Sequence, residues 1–221
     1  MKTLLLLLTG MFLSCEAKNQ PAMNEMITQK ENLFELLKQN DVAGVKNALE
    51  KGANVNMQDK NKRSLLLLAT LGQQVEMAKL LAEKGADVNL QDEIHDSPFL
   101  YAGASGQTEL VKLFLSKGAR FDVFNRYNGT ALIPACERGH VETVKVLVNT
   151  KGFPVNHVNR LGWTGLMEAI VLGDGTKRYQ EIVQLLKDGG ADLSIPDRDG
   201  ITALQHARKR GFAEIAEILA R

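Results

Sequence analysis

Apolar residues in this chain fall at helical spacing in short blocks of about two turns, separated by polar turns that carry glycine. Leu33, Leu36 and Leu37 share one face and Val42, Val45 and Leu49 the next, which predicts helices near 30–39 and 42–50. Ser64 precedes the run Leu65–Leu68 with Ala69, and Val75–Leu81 supplies a partner helix. A third block runs from Ser97-Pro98 through Tyr101-Ala102 and Gly106 to Leu110, Val111, Leu113 and Phe114. Pro98 suits a first helical turn, where its missing amide donor is tolerated. In the fourth, Gly129-Thr130-Ala131-Leu132 turns into a short apolar helix, and Arg138-Gly139-His140-Val141-Glu142 leads to a second helix bearing Val144 and Leu147. Pro134 lies inside the first of these helices and is expected to bend or shorten it.

These blocks are copies of one unit. Ser64, Ser97, Thr130, Thr164 and Thr202 each open the pattern, at separations of 33, 33, 34 and 38. The closing glycines Gly52, Gly85, Gly118, Gly152 and Gly190 repeat the same four intervals, so two independent markers agree. In the fifth copy Thr164 to Gly190 is 26 residues against 21 from Ser97 to Gly118. The extra five are expected as a loop around Gly173-Asp174-Gly175-Thr176-Lys177, between the paired helices. The sixth copy, from Asp197, ends in Phe212, Ile215, Ile218 and Leu219, with Lys209, Arg210, Glu214, Glu217 and Arg221 as the polar skin of a cap.

The period of 33, with Gly52-Ala53-Asn54-Val55-Asn56, Gly85-Ala86-Asp87-Val88-Asn89, Gly118-Ala119, Gly190-Ala191-Asp192 and the opening Ser97-Pro98-Phe99, resembles the ankyrin repeat. The resemblance implies an all-α solenoid of about six helix pairs linked by β-turn or hairpin fingers. Repeats are expected at about 31–58, 59–91, 92–124, 125–158, 159–196 and 197–221, within a domain spanning 30–221. Each unit is too small to bury its own apolar face and must stack on its neighbours. Pro134 to His140, Val155 to Thr164 and Glu168 to Gly175 further resemble a group of small bacterial ankyrin proteins without a settled activity.

Ahead of the repeats, Lys2 and the apolar run Leu4–Leu13 read as the charged and hydrophobic regions of a secretory signal over 1–14, too short for an ordinary membrane span. Phe12-Leu13-Ser14-Cys15 resembles a lipoprotein signal, which would make Cys15 the lipidated residue; cleavage after Ala17, or none, are the alternatives. Residues 15–29 read as a flexible tether. Export to the periplasm, or anchoring in a bacterial envelope, follows as the expectation. With 27 basic and 26 acidic residues the formal charge is +1, which offers no general attraction for nucleic acid or anionic lipid. Membrane contact is therefore expected only through the lipid anchor, and the chain is expected as a monomer.

Candidate chemistry is sparse. His95, His140, His157 and His206 stand in four different repeats without metal-ligand spacing, and no metal or cofactor is expected. His140, just after a turn glycine, reads as a structural hydrogen-bonding residue. Cys136 replaces a small helix residue and reads as packing rather than as a nucleophile. Gly173 to Lys177 lacks the spacing of a phosphate-binding loop.

In ankyrin folds the turn tips and the exposed flank of each first helix form the surface that meets partners. Carried onto this chain, those positions include Arg126, Tyr127, Glu137, Arg138, Arg160, Trp163, Glu168 and Arg198, a set rich in the residue types of binding hot spots. Trp163, the only tryptophan, is expected on a turn tip, either covered by a partner or packed on the neighbouring finger over Tyr127. The leading expectation is a non-catalytic module that presents this concave surface to a protein or peptide. One alternative is a small-molecule site, enzymatic or not, built from Glu137, Glu168, Arg126, Arg160 and Trp163. Another, implied by periplasmic ankyrin proteins, is an accessory role for a peroxide-detoxifying enzyme.

Overall fold

A computed structural model describes residues 32–221. The expected signal segment, Cys15 and the tether lie outside the described residues. The chain divides into two units, meeting at Ala53 and Asn54. In the first, α1 (32–38) and α2 (Val42–Glu50) match the helices expected from periodicity, with Leu33, Leu37 and Val45 buried. Asp41 caps α2 by accepting from the Gly44 amide at 2.9 Å.

The second unit carries five helix pairs: α3 (Leu65–Leu71) with α4 (Val75–Glu83), α5 (Pro98–Ala104) with α6 (Thr108–Ser116), α7 (Leu132–Glu137) with α8 (Val141–Val148), α9 (Gly165–Val171) with α10 (Lys177–Asp188), and α11 (Ala203–Lys209) with α12 (Ala213–Ala220). First helices pack on first helices and second on second, so two parallel layers share one core. Leu65, Pro98, Ala131, Gly165 and Ala203, each one place after the opening hydroxyl residue, hold equivalent core places, as do Leu81, Phe114, Leu147, Leu186 and Leu219 in the second layer. The leucine run of the second repeat is packing, with Leu65, Leu66 and Leu67 fully buried.

The recurring hydroxyl residue is a helix N-cap in four of the five repeats that it opens. Ser64, Ser97, Thr164 and Thr202 accept from the amides of Leu67, Leu100, Met167 and Gln205 at 3.0, 3.2, 3.2 and 3.4 Å. One residue further on, the amides of Leu68, Tyr101, Glu168 and His206 return to the cap carbonyls and start the helix. Proline 134 occupies that place in the fourth repeat and has no amide to return. Helix α7 accordingly starts after Ala131 and is one residue shorter than α5 or α9, as the proline led us to expect. The Thr130 hydroxyl is left buried without a hydrogen-bond partner.

Between pairs the chain makes a finger whose tip is built the same way five times. Asp59, Asp92, Asn125, Asn159 and Asp197 each accept, through Oδ1, from the amides two and four residues on. This Asx turn holds the residue three places on at positive φ: Lys62, His95, Asn128, Gly162 and Gly200. Fingers are tied to their neighbours through side chains. The Asn56, Asn89 and Asn156 carboxamides accept from the Asp87, Arg120 and Asp192 amides at 2.8, 2.8 and 2.7 Å.

The fifth repeat departs from the loop expectation. Only two of its five extra residues enter the connection, 172–176 against 105–107 in the third repeat; three lengthen α10 to 12 residues against 9 for α6. Asp188 and Ser116 both stand two places before the closing glycine, so the added turn is the N-terminal one, Lys177–Tyr179. The connection is also clamped. Arg210 donates to the Val171 and Gly173 carbonyls, and a Cβ on Gly175 would sit 2.5 Å from the Phe212 ring.

Candidate functional site

The Asn125 and Asn159 fingers and the helices behind them enclose a groove of about 340 Å³. Arg126, Tyr127, Glu137, Arg138 and Glu168, five of the residues read from the sequence as partner-binding, line it together, joined by Leu161 and Leu172. Asn125, Gly129, Ile133, Pro134 and Asn159 complete the wall. Pro134 helps to open this space. Other repeats place Leu68, Tyr101, Glu168 and His206 at its position, all longer than its compact ring.

The rim is apolar. Tyr127, Leu161 and Leu172 are 52%, 49% and 49% exposed, well above what helix stacking leaves. The floor carries the carboxylates. Glu168, on the first turn of α9, is 5% exposed, and its Oε1 accepts from Asn159 Nδ2 at 2.8 Å. Burial, reinforced by the nearby Glu137 charge and opposed by the Asn159 hydrogen bond, pushes its carboxyl up to about 7. Glu137, the last residue of α7, is half-buried.

The added turn of α10 braces that end of α7. Tyr179 donates its hydroxyl to the Glu137 carbonyl at 2.7 Å, and the Arg178 side chain lies so close over Gly139 that a Cβ there would be 2.5 Å from Arg178 Cδ. The residues that break the period therefore support a groove residue.

The cations around the groove are engaged with the protein. Arg126 faces Asp96 at 3.6 Å and covers the Tyr127 ring at 4.9 Å. Arg138 donates to the Ala104 carbonyl at 2.7 Å. Burial holds the Asp96 carboxyl above its ordinary range, outweighing the Arg126 charge.

Arg160, Trp163 and Arg198 do not line the groove. Arg160 lines a separate recess with Arg126 and donates to the Arg126 carbonyl at 3.0 Å, while Arg198 donates to the Arg160 carbonyl and lies over Gly162. Trp163 is half-buried, and its backbone closes the Asn159 finger through Trp163 N to Asn159 Oδ1 at 3.1 Å. Asn125 and Asn159 were not singled out from the sequence, although they recur in register with Asp59, Asp92 and Asp197.

Three histidines and Cys136 are engaged within the fold. His140 is hydrogen-bonded to the Ala104 carbonyl and packs on Gly106, and burial pulls its imidazole below the usual range. His157 stacks on Phe124 at 4.4 Å and bonds the Asn128 carbonyl at 2.6 Å; His206 bonds Asp197 at 2.7 Å. Cys136 is fully buried, with its thiol pushed up by burial and by Glu168. Among the described residues no three histidine, cysteine or carboxylate side chains group as a metal site.

The family described as ankyrin repeats (3 copies) matches residues 33–125 and 99–197. The ankyrin repeat domain ABAYE2397 from Acinetobacter baumannii AYE is similar, at 47% identity and TM-score 0.83 over 85% of this chain and 95% of that one. EF0377, an ankyrin repeat protein, is 41% identical with TM-score 0.83 over 86% of this chain and 96% of its own. Putative ankyrin repeat protein YahD of Escherichia coli (strain K12) is 54% identical over 65 residues, 29% of this chain and 32% of YahD, so that match spans about a third of the relative. Period, capped helix pairs, Asx fingers and family match together make the chain an ankyrin-repeat protein.

Proposed function

We propose that the chain is a non-catalytic binding module whose groove, between the Asn125 and Asn159 fingers, takes an extended segment of a protein partner in the bacterial envelope. Ankyrin repeats are in general protein-binding modules. The observation that carries the reading is the groove itself: about 340 Å³, rimmed by three half-exposed apolar side chains, Tyr127, Leu161 and Leu172. Apolar anchors around a polar floor are how recognition surfaces combine contact area with direction. Capture of a partner from envelope extract is expected to fall at least tenfold with Tyr127→Ala and with Leu161→Ala. Equal capture by both variants and the parent chain overturns the groove as the binding face.

The envelope setting rests on Lys2, the apolar Leu4–Leu13 run and Cys15. Mass spectrometry of the mature chain is expected to find an acylated Cys15 at its start; a chain that still begins at Met1 after expression in a bacterium removes this part of the proposal. A second reading is favoured by one observation, the Glu168 carboxyl poised at about 7 beside Glu137. Such a pair suits a small charged metabolite. Native mass spectrometry of the purified chain decides between the two: a bound small molecule lost in Glu168→Gln supports the second reading, and its absence supports the first.

A further inference from the structure

Resting on the groove reading above, we propose that the groove selects a basic residue of the bound segment, a lysine or arginine whose charged head lies between Glu137 and Glu168. Its methylene stem and the flanking residues of the segment cover Tyr127, Leu161 and Leu172, as long cationic side chains do on apolar surface.

Of the ionic side chains that line the groove, the cations already have partners: Arg126 has Asp96 and the Tyr127 ring, and Arg138 has the Ala104 carbonyl. The carboxylates do not. Glu137 has no hydrogen bond to its carboxylate among the described residues, and Glu168 uses one oxygen, toward Asn159, while the other receives none. The carboxyl of a residue only 5% exposed, as Glu168 is, has two acceptable states: a neutral one that keeps its proton, or an ionised one beside a counter-ion. With the groove empty the first holds, because burial and Glu137 keep Glu168 protonated to about pH 7. A bound ammonium or guanidinium converts it to the second and bridges Glu137 at the same time.

The surroundings of Glu168 leave this role to the ligand. On α7, Glu137 is the neighbouring charge, and the Cys136 thiol is buried and held protonated. On α10, Tyr179 gives its hydroxyl to the Glu137 carbonyl. On α11, His206 is paired with Asp197, and Arg210 beyond it bonds the Val171 and Gly173 carbonyls. No cation of the chain pairs with Glu168 among the described residues.

Occupation then expels a proton. Affinity for a basic segment rises with pH up to about 7 and levels off above it, falling by up to about tenfold for each unit below. The test selects a phage-displayed random dodecapeptide library on the immobilised full chain at pH 8, and measures the affinities of the recovered peptides for the parent chain and its variants. Expected are peptides with one fixed lysine or arginine, whose affinity drops roughly ten- to a hundredfold with Glu137→Gln, Glu168→Gln or replacement of that residue by norleucine. In Glu168→Gln the dependence on pH below 7 is expected to flatten. Both substitutions keep side-chain length, and circular dichroism verifies that the variants fold.

Three outcomes overturn the proposal, and they separate it from the reading beneath it. Peptides weakened by Tyr127→Ala but carrying no fixed basic residue refute the cation and keep the groove. Peptides indifferent to Tyr127→Ala and Leu161→Ala, or a library that yields no binder, refute both.

Discussion

Thr130 and Thr164 hold the same place in adjacent repeats with opposite consequences. Thr164 caps α9 through Met167, whereas the Thr130 hydroxyl is buried with nothing to bond because Pro134 has displaced the start of α7. Thr164→Val is expected to cost about 1 kcal/mol, the usual worth of a cap. Thr130→Val keeps the volume and removes a buried unsatisfied group, so it is expected to gain about 1 kcal/mol. Urea denaturation of the two variants, side by side, measures the contrast. The Glu168 carboxyl makes the stability of the fold depend on pH. Its carboxyl ionises near 4.5 in the unfolded chain and near 7 in the fold, so the folded state holds the extra proton between those values. Stability is therefore highest below about 4.5 and declines as pH rises to 7, by up to about 3 kcal/mol from this group alone. Glu168→Gln retains an acceptor for Asn159 and is expected to abolish that contribution and to be the more stable form at pH 8, as thermal melts from pH 5 to 8 would register.

At the scale of elements, the close approach of first helices depends on small residues. A Cβ on Gly103 would lie 2.6 Å from the Ala131 Cβ and 2.9 Å from its carbonyl oxygen, so α5 comes almost backbone to backbone with the start of the next repeat. Gly165 does the same toward Cys136, whose Sγ would be 3.2 Å from an added Cβ. Gly103→Val is expected to lose roughly 2 kcal/mol or more by forcing α5 from the fourth repeat, read as a lower denaturation midpoint. The finger tips obey a different economy. Their shape comes from one carboxylate or carboxamide bonding two amides, so Asp and Asn serve equally there while the residue three places on must accept positive φ.

For the molecule as a whole, the repeat intervals placed the five helix pairs that follow Ser64, because a period shared by two markers leaves little freedom in where the turns fall. Glu137 and Glu168, in adjacent repeats, were also legible as a pair, and the groove joins them. Trp163 was less so: spacing places it beside a finger tip but does not say which way an indole points, and it contributes a backbone bond instead of lining the groove. Arg160 and Arg198 were legible as surface arginines, yet their bonds to the carbonyls of the preceding finger depend on the distance between fingers, which sequence does not carry. Pro134 was read as a local interruption of α7, and its second effect, room for the groove, emerges only when side-chain sizes are compared across repeats.

The fifth repeat shows what a departure from periodicity can accomplish. Five residues that make the array irregular also carry Tyr179 and Arg178 to the back of α7. In the variant Arg178→Ala/Tyr179→Phe, hydrogen exchange at the Arg138 and Gly139 amides is expected to quicken several-fold while α3 to α6 exchange as before. A designer who trimmed this segment to the consensus length would obtain a tidier scaffold with a slacker mouth. Idealising a repeat protein can thus erase the bracing behind a groove without touching a single residue that lines it.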